Sequence, residues 1–120
     1  MISIGININD KQQAFTEQIL GGLKTIETRN KNSLKPYIGR RVGIVRTGKG
    51  MATLVGFVTI GEPVFYADKI QFDADHHRHL VAKDSPYYIT SGGKWGYPLQ
   101  DVMRCEEKEL PSRGIIARAI

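Results

Sequence analysis

Short β-forming runs, broken by glycine turns and with few helical stretches among them, constrain this chain more than any other feature. Ile2, Ile4, Ile6 and Ile8 alternate with small or polar residues, a period of two that buries one face of a strand. Asn9-Asp10 then offers a cap to a helix over Gln12–Leu20, in which Phe15, Ile19, Leu20 and Leu23 recur at helical spacing. Gly21-Gly22 ends it. Lys35-Pro36-Tyr37-Ile38-Gly39 reads as a turn before a strand over Arg41–Thr47, and Gly48-Lys49-Gly50 as a tight connection into a strand over Ala52–Ile60. Asp68–Val81 reads as a surface-exposed helix; Tyr87–Thr90, Gly96–Lys108 and Ile115–Ala119 read as further extended pieces. Many strands with few helices predict an α+β fold, a small mixed β-barrel, and not a doubly wound sheet. No linker or repeat divides the 120 residues, so one domain over 1–120 is expected.

Between the first helix and the next strand the chain reads Gly22-Leu23-Lys24-Thr25-Ile26-Glu27-Thr28-Arg29. Thr25, Ile26 and Thr28 favour an extended backbone, so alternation puts Glu27 and Arg29 on one face with Cβ atoms about 7 Å apart. Lys24 sits in the turn left by the double glycine, where strand parity does not fix its direction. Two cations around one carboxylate suit an anion site or a proton-transfer group. They equally suit a partly buried ion network that fixes the helix–strand junction. Both readings stay open at this point.

The octapeptide fits Gly-x-Lys-x-x-Glu-x-Arg through Gly22, Lys24, Glu27 and Arg29, and resembles the signature of ASCH (activating-signal-cointegrator homology) domains, relatives of the RNA-binding PUA fold. The likeness extends along nearly the whole chain. An opening strand and short helix, a strand closing on Gly61-Glu62, Trp95-Gly96-Tyr97, and Pro111-Ser112-Arg113-Gly114 all fall where such domains have similar features. The resemblance implies a PUA-like barrel and a ligand cleft beside the signature strand.

Composition bounds the setting. A hydrophobic content of 41% and charged content of 24% are those of a folded protein. Cys105 is the single cysteine, which excludes an intrachain disulfide and favours a reducing, cytoplasmic location. No apolar run is long enough to span a bilayer, and no membrane partner is expected. Net charge is +5, unevenly spread. From Thr28 to Gly61 there is no acid, while Arg29, Lys31, Lys35, Arg40, Arg41, Arg46 and Lys49 all fall there. A basic surface attracts polyanions, although solvated loop charges give the same pattern.

Other motifs carry less. Gly43 through Gly48-Lys49-Gly50 nearly spells a phosphate-binding P-loop, but it lacks the magnesium-binding hydroxyl and precedes a strand. His76, His77 and His79, beside Asp73 and Asp75, resemble a metal cluster; Arg78 lies among them and the ligand set is incomplete, so no metal and no cofactor is expected. Cys105 reads as a structural thiol. Trp95 and Tyr97 share a strand face, either as core or as a platform on which a base stacks.

Two function classes follow. In the first, the domain binds RNA, a nucleotide or a modified nucleoside: Lys24, Glu27, Arg29, Arg46, Lys49, Trp95 and Tyr97 contact the ligand, and Lys35, Arg40 and Arg41 the nucleic-acid backbone. In the second it is a small hydrolase. The resemblance implies two chemistries there, amide hydrolysis on an acylated cytidine or cleavage of RNA. The former uses the signature lysine, a threonine three positions on and a distant glutamate. Lys24 matches, but Glu27 stands where the threonine belongs, and Thr25 and Thr28 are out of register. Ribonuclease chemistry would use Lys24 and Glu27 as an acid–base pair. The chain indicates no protein partner.

Overall fold

Ile6 and Ile8 form the buried face that alternation predicts, in β1 (Ile4–Asn9), within a computed structural model that describes residues Met1–Ile120. After β1 come α1 (Phe15–Leu20), β2 (Ile26–Arg29), a 3-10 turn (Lys35–Tyr37), β3 (Arg41–Thr47), β4 (Thr53–Ile60) and β5 (Val64–Tyr66). Two short helices, α2 (Lys69–Ala74) and α3 (His76–His79), precede the long β6 (Lys94–Glu109) and the closing β7 (Ala117–Ala119). The strands make one seven-stranded sheet in the order β2-β6-β4-β3-β1-β7, with β5 also paired to β6. Only β1 and β3 run parallel; the other pairs are antiparallel.

The sheet curls into a half-barrel. Its end strand β2 comes back to β1, where the Arg29 Nη2 donates to the Asn7 carbonyl at 2.7 Å. Ile6, Ile8, Ile19, Ile44, Val58 and Ile60 anchor the main core, which α1 and α2 cover with Phe15, Ile19 and Phe72. Fully burying each such side chain is worth about 2 kcal/mol, so the core holds the curl against the strain of closing it. No helix is long and apolar enough to cross a membrane.

Three local expectations are corrected, and one strand was not foreseen. Helix α1 begins at Phe15, not Gln12, because residues 11–13 bend away from helical geometry. Asp10 still caps it from a distance: its buried carboxylate accepts from the Thr16 N–H at 3.0 Å and from the Thr16 hydroxyl. The Asp68–Val81 stretch is two helices broken at Asp75; it lies on the surface with half of its residues exposed, but it buries Phe72 and His79 completely. Tyr87–Thr90 is a turn; the Tyr88 N–H closes on the Ser85 carbonyl at 3.1 Å. Strand β5 was not foreseen, being three residues whose pairing with β6 comes from the tertiary fold.

Candidate functional site

Lys24 reaches the interior because the chain reverses sharply after α1. Gly22 takes a left-handed φ of 81°, which a side chain would resist, and the N–H groups of Leu23 and Lys24 both donate to the Gln18 carbonyl at 2.9 Å. The lysine stem then passes Phe15, whose ring centroid lies 4.7 Å from Nζ. Nζ donates to the His79 carbonyl and stands 3.7 Å from Glu27 Oε1. Glu27 Oε2 in turn forms an ion pair with Arg29 Nη2 at 3.1 Å. Glu27 and Arg29 do share a strand face, as their register opposite Tyr97 and Trp95 on β6 requires.

Lys24 is only 1% exposed. Burial lowers its pKa from 10.5 to about 8; Glu27 partly opposes this, while Arg29 and Lys94 add to it. Lys94, which donates to Asn30 Oδ1 at 2.8 Å, is also lowered, mainly by burial. The backbone that receives Lys24 is itself held firmly. The His79 ring stacks on Phe72 at 3.9 Å, its Nε2 lies 2.7 Å from the Phe72 carbonyl, and its Nδ1 accepts from the Val81 N–H at 2.9 Å. Those partners fix the neutral tautomer, and burial pushes the imidazole pKa down. His79 is therefore a structural residue. Asp75 is bound by Arg78 and the Tyr66 hydroxyl, and no group of three or more His, Cys, Asp and Glu is placed to hold a metal.

These groups line a cavity of about 320 Å³ at the seam between β2 and β1. Lys24, Glu27, Thr28 and Arg29 form one side; Asn7, Asn9 and Thr47 form the other. Phe15, Val81 and Tyr87 supply apolar wall, and Ile115 and Arg118 lie at the carboxyl-terminal edge. The volume suits a molecule of a few rings.

The remaining candidates disperse. Tyr97 is core: it is wholly buried, with its hydroxyl bound to Asn32 and accepting from the Leu34 N–H at 3.3 Å, so no base can stack on it. Trp95 is half-buried against Phe65, ring centroids 5.0 Å apart, outside the cavity lining. Arg46 is held by Glu107 at 2.9 Å, also off the lining. Lys49 is exposed in the loop after Thr47, beside the cavity rim; a Cβ on neighbouring Gly48 would come within 2.2 Å of Asn9 Oδ1. Lys35, Arg40 and Arg41 gather near the opposite end of β3, about 20 Å along the strand from Thr47.

Sequence reading missed Asn7, Phe15, Tyr87 and Arg118. Asn7 left one trace, a lone amide within an isoleucine strand. Phe15 read as an apolar helix position, and Tyr87 and Arg118 as members of extended pieces.

No family model and no curated protein matches the sequence. Solved structures do match. The crystal structure of ASCH from Zymomonas mobilis superposes with a TM-score of 0.72 over 89% of this chain and 73% of that one, at 18% identity. The chain has the ASCH fold. A tyrosine-to-phenylalanine variant of the same Zymomonas mobilis protein gives a TM-score of 0.72 at 18% identity, over 89% of this chain and 75% of that one. A serine-to-alanine variant gives 0.71 at 18% identity, over 88% and 72%. The curled sheet with short helices is a small α+β half-barrel, the class the strand pattern predicts, and PUA-like as the resemblance implies.

Proposed function

We propose that the seam cavity binds a nucleotide or modified nucleoside, free or within RNA. The observation that carries this reading is the placement of Lys24, Glu27 and Arg29 in one partly aromatic cavity open to solvent on one side. An acceptor, two cationic donors and the Phe15 and Tyr87 rings are the elements that hold a heterocycle by its edge and its face. Glu27 accepts from an exocyclic amine, Arg29 or Lys24 donates to a ring carbonyl, and the aromatic wall covers the base. A purely structural ion network would not need an open volume of this size beside it.

A hydrolytic reading is favoured by one further observation, the Lys24 pKa near 8. An amine so poised is partly neutral in mildly alkaline solution and can take a proton from attacking water, while Glu27 stands 3.7 Å away to relay it. The deciding experiment is a binding and turnover screen over RNA oligomers, nucleotides and acylated nucleosides. Saturable binding without product supports recognition alone. Repeated turnover lost in Lys24→Ala supports the hydrolase, and no binding to any of these ligands overturns both readings.

A further inference from the structure

Arg118 is the one charged group of the cavity without a charged partner. Its Nε donates to Asn7 Oδ1 at 2.8 Å and its Nη1 to the Ser112 carbonyl at 2.7 Å, both neutral oxygens. The side chain is half-buried in β7, opposite Gly5 of β1. Two anchored nitrogens fix the plane of the guanidinium and leave Nη2 unclaimed by the protein. Arginine held this way loses little entropy on taking an anion and presents a fork suited to a phosphoryl group.

Asn7 joins this arginine to the other one. Its side-chain oxygen holds Arg118, its backbone carbonyl holds Arg29 Nη2, and its amide nitrogen donates to the Gly114 and Ile115 carbonyls at 2.9 and 3.1 Å. Every polar atom of this buried side chain is therefore spent on assembling the cavity edge. Arg29 Nε remains buried with no partner at all, a donor whose desolvation the protein leaves uncompensated. Across the lining, Lys24, Arg29 and Arg118 face the single carboxylate of Glu27. The lining thus carries three cations against one acid, an excess of positive charge.

We infer that Arg118 and Arg29, braced on Asn7, form a phosphate subsite, so that the ligand of this cavity carries a phosphoryl oxyanion at the β7 end. The nucleotide identity of that ligand rests on the function proposed above; the oxyanion requirement rests on the arginines. A terminal monoester and a diester within RNA present the same chemistry to the site.

The test compares each ribonucleoside with its monophosphates, with a dinucleoside phosphate, and with ribose phosphate and inorganic phosphate, by calorimetry. Monophosphates are expected to bind about tenfold more tightly than nucleosides, and Arg118→Gln to remove most of that difference by weakening monophosphate binding far more than nucleoside binding. Arg118→Lys, which keeps the charge but not the fork, should retain part of it. Labelling of Arg118 in the unmodified protein with phenylglyoxal, read by mass spectrometry, should slow when a phosphate ligand is present; this arm does not depend on a variant folding. Equal affinity for nucleoside and monophosphate, or Arg118 labelling that no phosphate slows, overturns the subsite. Protection by ribose phosphate and inorganic phosphate with no gain from any base supports the subsite and removes the nucleotide reading. Preference for the dinucleoside phosphate over the monophosphates identifies a chain phosphate as the anion.

Discussion

Lys24 holds its place at a cost that pH can expose. The fall from 10.5 to about 8 corresponds to a penalty on the order of 3 kcal/mol while the ammonium is charged. Between pH 8 and 10.5 the unfolded chain keeps a proton at Lys24 that the folded chain has released. Stability therefore rises with pH across that window, and the penalty is fully present below it. Urea melts from neutral pH to pH 10.5 should show this rise, and Lys24→Met should lose most of it; Lys94, lowered in the same sense, contributes the remainder. Glu27→Gln acts in the opposite direction. It leaves the buried Lys24 and the partly exposed Arg29 without their carboxylate, so it should lower stability at neutral pH by about 3 kcal/mol and push the Lys24 titration below 8. A Glu27→Gln protein as stable as its parent would show that the buried pair contributes no cohesion.

Elements matter here through what they hold in position. Helices α2 and α3 expose little chemistry of their own, yet the Arg78 carbonyl receives the Thr25 N–H at 2.9 Å and the His79 carbonyl receives Lys24. Asp75 locks that turn, accepting from Arg78 Nε at 2.6 Å, Arg78 Nη2 at 2.7 Å and the Tyr66 hydroxyl. Asp75→Asn should cost about 2 kcal/mol and speed amide exchange at Thr25 more than at β3 or β4, measurable by hydrogen-exchange NMR. Asp10 does comparable work for α1, whose formal cap Ala14 has no side-chain acceptor. Asp10→Ala should lower stability by about 1 kcal/mol or somewhat more, since it also strands the buried Thr16 hydroxyl. A thermal melt decides it.

At the scale of the molecule, six basic residues separate into two groups. Arg118, Arg29 and Lys49 lie in or beside the cavity; Lys35, Arg40 and Arg41 lie near the far end of β3. Arg41 Nη1 is tied to Thr59 Oγ1 at 3.3 Å and the Arg40 guanidinium lies 5.8 Å from the Tyr37 ring, so both are held on that surface. Neutralising Arg40 and Arg41 together should leave mononucleotide affinity unchanged. For a longer single-stranded RNA it should reduce the slope of log affinity against log salt by about 1.4, or 0.7 per lost phosphate contact. Fluorescence anisotropy over a salt series measures both, and a matched loss for the mononucleotide would contradict the separation.

Most of the strand succession, the glycine reversal after the first helix and the pairing of Glu27 with Arg29 were legible in the chain, because each depends on neighbours within a few residues. Periodicity, turn chemistry and strand parity are local physics. Long-range contacts decided the rest. Tyr97 and Trp95 share one strand and one face, yet only the residues arriving from Asn32, Leu34 and Phe65 make one core and the other a half-exposed edge. Lys24 owes its burial to a carbonyl 55 positions away. Arg118 meets Asn7 across 111 positions, at an edge that exists only because the sheet curls until β2 faces β1. A local pattern records which face of a strand is apolar, but the partner that closes a site is chosen by the path of the whole chain.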